Sequence, residues 1–386
     1  MLLGGYLTLW IGPTVPFPAP PTLLDYLEQV SVTHNETGPS GFSISFGVSR
    51  NRALGVLDYP PLLTQMIRVG YRVQIYVTVM AMPRMLMDGI ITSIQVSPSS
   101  EPNGSKLTII GEDVSVMMAL TERKMPYTGL ADYDIVNLIL LRYAAYSVVP
   151  MAFPPLADKR LLPTDGTPQR NGTDRDILND LARRYDYVFY IDPLLVPGVN
   201  TAYWGPPVRS GLPQRALTFG MGPASTVNSI QLSSDGTKPK FVQGEVQPTR
   251  PSAAAPPLPP IPVLGVPIAV TPLAAMPAFV GNAPFFGTQL PADDGQGDVV
   301  RALLKAQSQA ERTTRDALTA SGELDVARYG DVLRPRALVD VRGVGLTFDG
   351  TWYVKSVTHS ITRSSYKESF NLERDGTFPL SPVVRP

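Results

Sequence analysis

The stretch Val69-Gly-Tyr-Arg-Val-Gln-Ile-Tyr-Val-Thr-Val79 alternates apolar and polar side chains through its centre. This period of two is typical of a β-strand with one buried face. The same pattern occurs in Phe42-Ser-Ile-Ser-Phe46, and two further strands are expected at Gly89–Val96 and Lys106–Gly111. Several short strands at this spacing favour an antiparallel barrel or sandwich over parallel βαβ units.

One helix is expected before these strands. Leu23–Val30 follows Thr22, whose hydroxyl is suited to cap a helix.

The middle of the chain changes to a helical period. Asp132–Tyr146 places its apolar residues near one helical face and begins with acidic residues. Thr173 is suited to cap a second helix, in which residues 177, 178, 181 and 182 form the buried stripe. An aromatic strand, Tyr187–Ile191, follows, and two more strands are expected at Ala202–Trp204 and Ala216–Phe219. This part is predicted to be a small α+β unit.

Val246–Pro291 is rich in Pro, Ala and short aliphatic residues, as in Pro256-Pro-Leu-Pro-Pro-Ile-Pro262. So many prolines exclude a continuous helix or a central strand, so we expect an extended, largely polyproline II backbone. Two interpretations stay open. The segment is either a loose surface loop or a strap that lies against a partner surface.

The chain then resumes with a predicted helix, Asp298 to about Leu318. A hairpin tip is expected at Ser364-Ser365. The strands predicted around it are Asp331–Val341, Thr351–Val357, His359–Arg363 and Tyr366–Arg374.

These patterns divide the chain into a β domain at 1–120, an α+β domain at 121–245, a Pro-rich extended excursion at 246–297, and a helix with a second β domain at 298–386. The expected fold class is therefore α+β and mainly β.

The composition excludes several classes of function. Lys+Arg and Asp+Glu number 33 each, and this balance argues against a protein that coats nucleic acid. The absence of cysteine excludes disulfides and thiolate metal sites. Met1–Trp10 is apolar but has no basic region before it, as a signal peptide would, and no run reaches the ~18 apolar residues of a membrane span.

The chain contains few histidines, and the carboxylates that stand next to each other have structural explanations. The two histidines are His34 and His359, and His359 lies in an alternating strand, where a structural role is expected. Glu112 and Asp113 are adjacent in a strand, so their side chains should point to opposite faces. We interpret Asp113-Val-Ser115 and Asp375-Gly376 as turns at strand ends. We expect no catalytic, cofactor-binding or metal-binding residue, no cofactor and no enzymatic activity.

Three segments resemble, in this order, the first β domain of late-control D proteins, the baseplate hubs of contractile phage tails. They are Gly70–Tyr76, Leu86–Ile94 and Leu107–Ser115. A fourth segment, Asn171–Tyr190, resembles the central part of those hubs and of the valine-glycine repeat (VgrG) spikes of type VI secretion.

The strands at Gly350–Thr362 and Phe370–Arg374 are similar to the closing hairpin of the same family. The chain differs from the family in its Pro-rich excursion and in the absence of a fused spike.

The resemblance implies a fold with two tail-tube-like antiparallel β-barrel domains and a small α+β insertion. It also implies a homotrimer that joins the hexameric tail tube to a separate trimeric spike and lines the delivery channel. The implied partners are that spike, the tube or a tube-initiator protein, and, as further candidates, tape measure and baseplate wedge proteins. The implied location is the virion baseplate, assembled in the host cytoplasm.

Two alternatives stay open. The hub carries a cell-wall hydrolase or peptidase site, or it belongs to a non-viral contractile injection system.

Overall fold

The structure is a computed structural model that describes residues 5–48, 62, 67–99, 104–156, 158, 169–194, 198–247, 259–278, 287–289 and 299–381. The first part of the chain forms an antiparallel sheet with two short helices, α1 (Pro21–Leu24) and α2 (Val116–Ala119). Its strands are β1 (Gly5–Gly12), β2 (Phe17–Pro18), β3 (Leu27–Asn35), β4 (Gly41–Val48), β5 (Arg72–Val79), β6 (Met82–Ser97) and β7 (Ser105–Asp113).

The predicted strands of this part are confirmed, and alternation is the reason that they form. In β4 every second residue, including Phe42, Ile44 and Phe46, is buried in the core. The helix predicted over Leu23–Val30 is wrong beyond Leu24. Its second half belongs to β3, because Val30 and its neighbours pair with strands on both sides.

The middle part contains the two predicted helices, α3 (Asp132–Leu141) and α4 (Asp174–Tyr185), but α3 ends at Leu141 and not at Tyr146. The Thr173 hydroxyl accepts a hydrogen bond from the Asp176 backbone N–H, so it caps α4. The strands of this part are β8 (Glu122–Pro126), β9 (Val148–Ala152), β10 (Gln169–Thr173), β11 (Val188–Pro193), β12 (Asn200–Gly205), β13 (Gln214–Thr218), β14 (Val227–Ser234) and β15 (Phe241–Val246). A separate core packs both helices against β9, β11 and β12.

The Pro-rich segment is extended in its described part, but it pairs within the chain. It contributes β16 (Ile261–Gly265), β17 (Ala274–Pro277) and β18 (Gly287–Gln289). The helix α5 (Val299–Arg315) packs the alanines at 302, 306 and 310 on β15 and β16. A Cβ at Gly265 would lie 2.0 Å from the Ala306 carbonyl oxygen, so the close approach of helix and strand requires glycine there.

The last part contains α6 (Val326–Tyr329), β19 (Leu318–Asp325), β20 (Leu338–Arg342), β21 (Gly350–Thr362), β22 (Tyr366–Arg374) and β23 (Gly376–Pro379). The hairpin tip at Ser364-Ser365 is confirmed. Two strand predictions are wrong in extent. The strands predicted on either side of Thr358 are one strand, β21, and the strand predicted from Asp331 begins at Leu338.

The main sheet joins the first and last parts of the chain. Its strand order is β14-β19-β22-β21-β3-β4-β7-β6-β5-β1-β2, and β20 pairs with β21 and with β13. The junction is the antiparallel pairing of β3 with β21, from Gln29 opposite Thr362 to Asn35 opposite Ser356. The predicted class, α+β and mainly β, is confirmed. The four-part division of the chain stays a prediction, and the β14–β19 pairing crosses it.

Candidate functional site

A buried polar cluster lies at the junction of β3 and β21. His359 Nδ1 lies 3.0 Å from Glu368 Oε1 and 3.1 Å from the Tyr366 hydroxyl. Glu368 also accepts a hydrogen bond from the Leu333 backbone N–H at 3.1 Å. The His34 ring meets the His359 ring edge-on, with 5.6 Å between centroids. The junction between the two β blocks therefore contains both histidines of the chain.

Burial shifts the pKa of His34 and of Tyr366 in this cluster. It lowers the pKa of His34 well below the ordinary value, and the nearby His359 and Arg336 lower it further. Burial and the adjacent Glu368 raise the pKa of Tyr366 well above its usual value. His34 is therefore neutral, and Tyr366 keeps its proton.

The geometry of His359 and Glu368 is that of a base and the carboxylate that orients it, but no reactant can enter. Their side chains are 1% and 0% exposed. Glu368, the partner of His359, is not among the residues predicted from the sequence. The predicted hairpin tip at Ser364-Ser365 is the sequence feature from which this contact could be inferred. It sets the register of the hairpin, and that register places His359 and Glu368 opposite each other.

His34 is expected to make the protein less stable in acid. Below about pH 6.5 the unfolded chain binds a proton at this residue that the folded chain excludes. The free energy of unfolding therefore falls by up to about 1.4 kcal/mol per pH unit. Urea unfolding at pH 7 and pH 5 should show that His34→Gln loses about 1–2 kcal/mol less than the wild type. Equal losses would contradict the role of His34.

Arg336 holds three parts of the chain together. Its guanidinium donates to the Asn35 carbonyl oxygen at 3.0 and 2.7 Å and to the Ser40 hydroxyl at 3.2 Å. It also forms an ion pair with Asp192 and stacks over the Tyr190 ring, 4.0 Å from its centroid. The side chain thus connects the last β block to the first block and to the α+β unit.

Asp88 forms a second junction, between β6 and β12. Its carboxylate accepts two hydrogen bonds from Arg72, at 2.7 and 2.6 Å, and one each from Gln74 at 3.2 Å and Asn200 at 3.1 Å. Arg72 also donates to the Gly198 carbonyl oxygen at 3.0 Å. Because the Asp88 side chain is fully buried, these bonds replace its contacts with water.

A charged cleft of about 570 Å³ opens between the end of α4, the end of α5 and β21. Burial and the nearby Glu373 raise the pKa of Glu36 in its wall. A carboxyl group with a raised pKa near a second carboxylate is the arrangement that glycosidases use. Here Glu373 is held in ion pairs by Arg209 and by Lys355, which lies 3.1 Å away. This arrangement favours an ion-paired junction over a catalytic pair.

The carboxylates singled out in the sequence are held apart. Glu112 lies on the outer face of β7 and forms an ion pair with Arg175 at 2.9 Å. Asp113 is buried and accepts from the backbone N–H groups of Ser40 and Ser115, at 2.6 and 2.8 Å. Burial raises the pKa of Asp113, and these bonds lower it in part. Its carboxylate therefore fixes the turn after β7.

Asp375 fixes a second turn, between β22 and β23. Its carboxylate accepts a hydrogen bond from the Leu273 backbone N–H at 2.9 Å, and burial raises its pKa. The next residue, Gly376, meets the Met276 carbonyl oxygen so closely that a Cβ would lie 2.1 Å away. This turn thus joins the last part of the chain to the Pro-rich segment.

The main sheet ends in two unlike edges. Among the described strands β14 pairs only with β19, so its other side is open. At the opposite end, β1 pairs with β5 along its whole length but with β2 only at Trp10 and Ile11. Open backbone N–H and C=O groups are sites at which another strand can pair.

Within the described residues, no group of three or more His, Asp or Glu side chains could hold a metal ion. The same residues include no helix with the length and apolar character needed to span a membrane.

Comparison with known proteins identifies the fold. No protein-family model matches the sequence, and no curated protein is significantly similar to it. A tail protein from Neisseria meningitidis superposes with a TM-score of 0.64 at 13% identity, covering 97% of this chain and 98% of that one. The 43 kDa tail protein of prophage MuSo2 from Shewanella oneidensis superposes with a TM-score of 0.64 at 11% identity, covering 97% and 99%.

A third structure belongs to an Escherichia coli component of the type VI secretion system, described as similar to the T4 bacteriophage tail proteins gp27 and gp5. It superposes with a TM-score of 0.52 at 12% identity, covering 93% of this chain and 77% of that one. The chain therefore has the fold that phage tail proteins share with a type VI secretion component.

Proposed function

We propose that the chain is the structural baseplate hub of a contractile phage tail, a homotrimeric adaptor between the hexameric tail tube and a separate trimeric spike. The observation that carries this proposal is the main sheet, in which, among the described strands, β14 has no partner on one side and β1 has one only over Trp10 and Ile11. Edges of this kind pair head to tail, and a head-to-tail contact that closes gives a ring. Three chains with two β blocks each would give a ring of six blocks.

The symmetry of this ring accounts for the proposed partners of the hub. A face of six similar blocks matches a hexameric tube or tube-initiator protein, and threefold symmetry matches a trimeric spike. Tape measure and baseplate wedge proteins are further partners of such a ring, and its place is the baseplate of the virion. The fold shared with phage tail proteins supports this role.

We also propose that the role is structural and not catalytic. The buried His359–Glu368 pair is closed to reactants, and Glu373 in the charged cleft is neutralised by two cations. A zymogram on cell-wall material separates this proposal from a hub that carries a hydrolase.

The open edge of β14 provides the test. Successive residues of an edge strand direct their backbone N–H groups to opposite sides. Ile230→Pro and Gln231→Pro therefore each remove one N–H group of β14, one of them facing β19 and the other facing the open side. One of the two variants should unfold like the wild type and yet fail to assemble. Light scattering of the hub with its spike should give a mass of three hub chains for the wild type and one for that variant.

The less stable of the two proline variants is the control, because its proline removes an N–H group that pairs with β19 within the chain. A trimer that survives in the variant with wild-type unfolding would contradict assembly through β14. A wild-type dimer or hexamer would contradict the trimeric hub itself.

A further inference from the structure

A second cleft, of about 440 Å³, opens between β13, β20, α6 and the turn that leads from β13 to β14. Its charged side chains are three arginines, Arg215, Arg328 and Arg342, and we name it the arginine cleft. Hydroxyl side chains and small apolar residues form the rest of its wall. Its volume lies within the range of ~300–1,000 Å³ in which proteins hold small ligands.

The fold brings the three arginines together from separate elements. β13 and β20 are parallel neighbours, with Thr218 opposite Arg342. Val341, next to Arg342, is buried in the core, so Arg342 projects from the other face of β20. Arg328 lies on α6, whose first turn is capped by the Asp325 carboxylate. The arginine cleft therefore forms only when β13 has paired with the last part of the chain.

The acidic residues on either side of α6 are engaged outside the cleft. Glu323 forms an ion pair with Lys367 at 2.8 Å, and Asp331 accepts from an arginine of β6 at 3.4 Å. Arg328 donates to the side-chain oxygen of Asn228 at 3.5 Å, which brings no negative charge. The three cations thus share one cleft and repel one another, and an anion that enters is attracted by all of them.

Two hydroxyl groups of the wall are held in place as hydrogen-bond donors. Ser225 Oγ accepts from the Met221 backbone N–H, and Thr226 Oγ1 accepts from the Thr218 backbone N–H, both at 2.9 Å. A hydroxyl has one proton besides its acceptor lone pairs, so each of the two keeps a proton for another acceptor. Thr226 is only 7% exposed, so its position is fixed by packing as well as by this bond.

This set of donors matches a phosphate better than a carboxylate. A guanidinium presents its N–H groups as a planar fork, which fits the oxygens of either anion. A carboxylate has only two oxygens and a single charge, so it leaves most donors of three guanidiniums and two hydroxyls without an acceptor. Linked phosphates supply more oxygens and several charges in a compact group.

We propose that the arginine cleft is a binding site for a small oligophosphate, of which pyrophosphate is the smallest member. The guanidiniums neutralise its charge, and the hydroxyls of Ser225 and Thr226 donate to oxygens that the arginines leave free. The bound anion connects α6 and β20 to the turn before Val227, the first residue of β14. The inference goes beyond the proposed function, because a single folded chain contains the whole site.

Calorimetric titration of the full chain with sodium pyrophosphate, without divalent cations, tests the site. The wild type should bind one pyrophosphate per chain. Arg342→Gln should weaken binding at least about tenfold, because a charge-assisted contact is lost. Arg183→Gln is the matched control, since it removes the same charge from an exposed side chain of α4. It should bind like the wild type. An equal loss in both variants would overturn the proposal, because it would show attraction by net charge alone.

Ser225 tests the site without a change of charge. Ser225→Ala removes one donor and should weaken binding of pyrophosphate by at least about threefold. Ser225→Thr keeps the hydroxyl and should restore most of the affinity. Full affinity in the alanine variant would contradict the role of this hydroxyl in holding the anion.

Competing ligands test the chemical class. A hexaglutamate peptide should bind at least about tenfold more weakly than pyrophosphate, because each carboxylate offers fewer oxygens and less charge. Tighter binding of the peptide would overturn the proposal in favour of an acidic protein segment. Sedimentation with vesicles of phosphatidylcholine and phosphatidic acid, without binding of free pyrophosphate, would overturn it in favour of a lipid surface.

Thermal unfolding separates a binding role of the arginines from a structural one. Pyrophosphate should raise the melting temperature of the wild type and leave that of Arg342→Gln almost unchanged. Without ligand, Arg342→Gln should melt no lower than the wild type, because it relieves repulsion between like charges. Arg328→Gln, on the exposed side of α6, provides a second variant for the same measurements. Variants that melt lower but bind as tightly as the wild type would show a structural role and overturn the proposal.

The two proposals fail independently. A chain that binds pyrophosphate but is not a trimer with its spike speaks against the proposed function alone. A trimeric hub that binds no pyrophosphate overturns the role of the arginine cleft and leaves the hub proposal standing.

Discussion

Arg336→Ala is expected to lower the free energy of unfolding by about 3–5 kcal/mol. The substitution removes three hydrogen bonds to Asn35 and Ser40, the ion pair with Asp192 and the stack on Tyr190. It also leaves the Asn35 carbonyl without those donors at a buried junction. Urea unfolding, followed by tryptophan fluorescence, measures the loss.

Arg336→Lys is the matched control. Position 336 has a φ of 58°, and this backbone strain is the same for Arg, Lys and Ala. Lysine keeps the charge but cannot form the forked contacts or the planar stack. It should recover less than half of the loss. A lysine variant as stable as the wild type would show that charge alone fixes this junction.

Asp88→Ala is expected to have a similar effect, about 3–5 kcal/mol, because it leaves Arg72 buried without a carboxylate. Gln74 and Asn200 lose an acceptor at the same time. Because β12 is joined to β6 through Asn200, unfolding should begin by release of the α+β unit. Hydrogen exchange of the β12 amides measures that release.

The double variant Asp88→Leu with Arg72→Met separates the charge from the packing. A buried pair replaced by apolar residues of similar size is often close to neutral in stability. We therefore expect the double variant to recover most of the loss of Asp88→Ala. A double variant as unstable as the single one would show that Gln74 and Asn200, and not Arg72, require the carboxylate.

Local periodicity predicted most elements of the fold. The alternation in β4 and β5 and the cap at Thr173 are properties of neighbouring residues, so a short window of sequence contains them. The helix prediction over Leu23–Val30 fails because the apolar residues of this segment fit both periods. The strand forms there because β3 has partners on both sides, and one of them, β21, lies far away in the sequence.

The same reason explains which residues of the junction could not be predicted. His359 and Glu368 share a hairpin, so their contact follows from the turn between them. Arg336 contacts Asn35 across 301 positions, and no local pattern marks such a contact. The charged cleft likewise brings together Glu36 and Glu373 from opposite ends of the chain.

The pairing of β3 with β21 also determines the order of events on the ribosome. Gln29, near the start of the chain, finds its partner in Thr362, near the end. Until that part is synthesised, β3 has an unpaired side, and unpaired strand edges promote aggregation. The nascent chain thus carries an open β3 edge while all the residues between β3 and β21 are synthesised. Early release of the polypeptide should therefore give insoluble fragments, and chaperones that cover strand edges should raise the yield of folded chain.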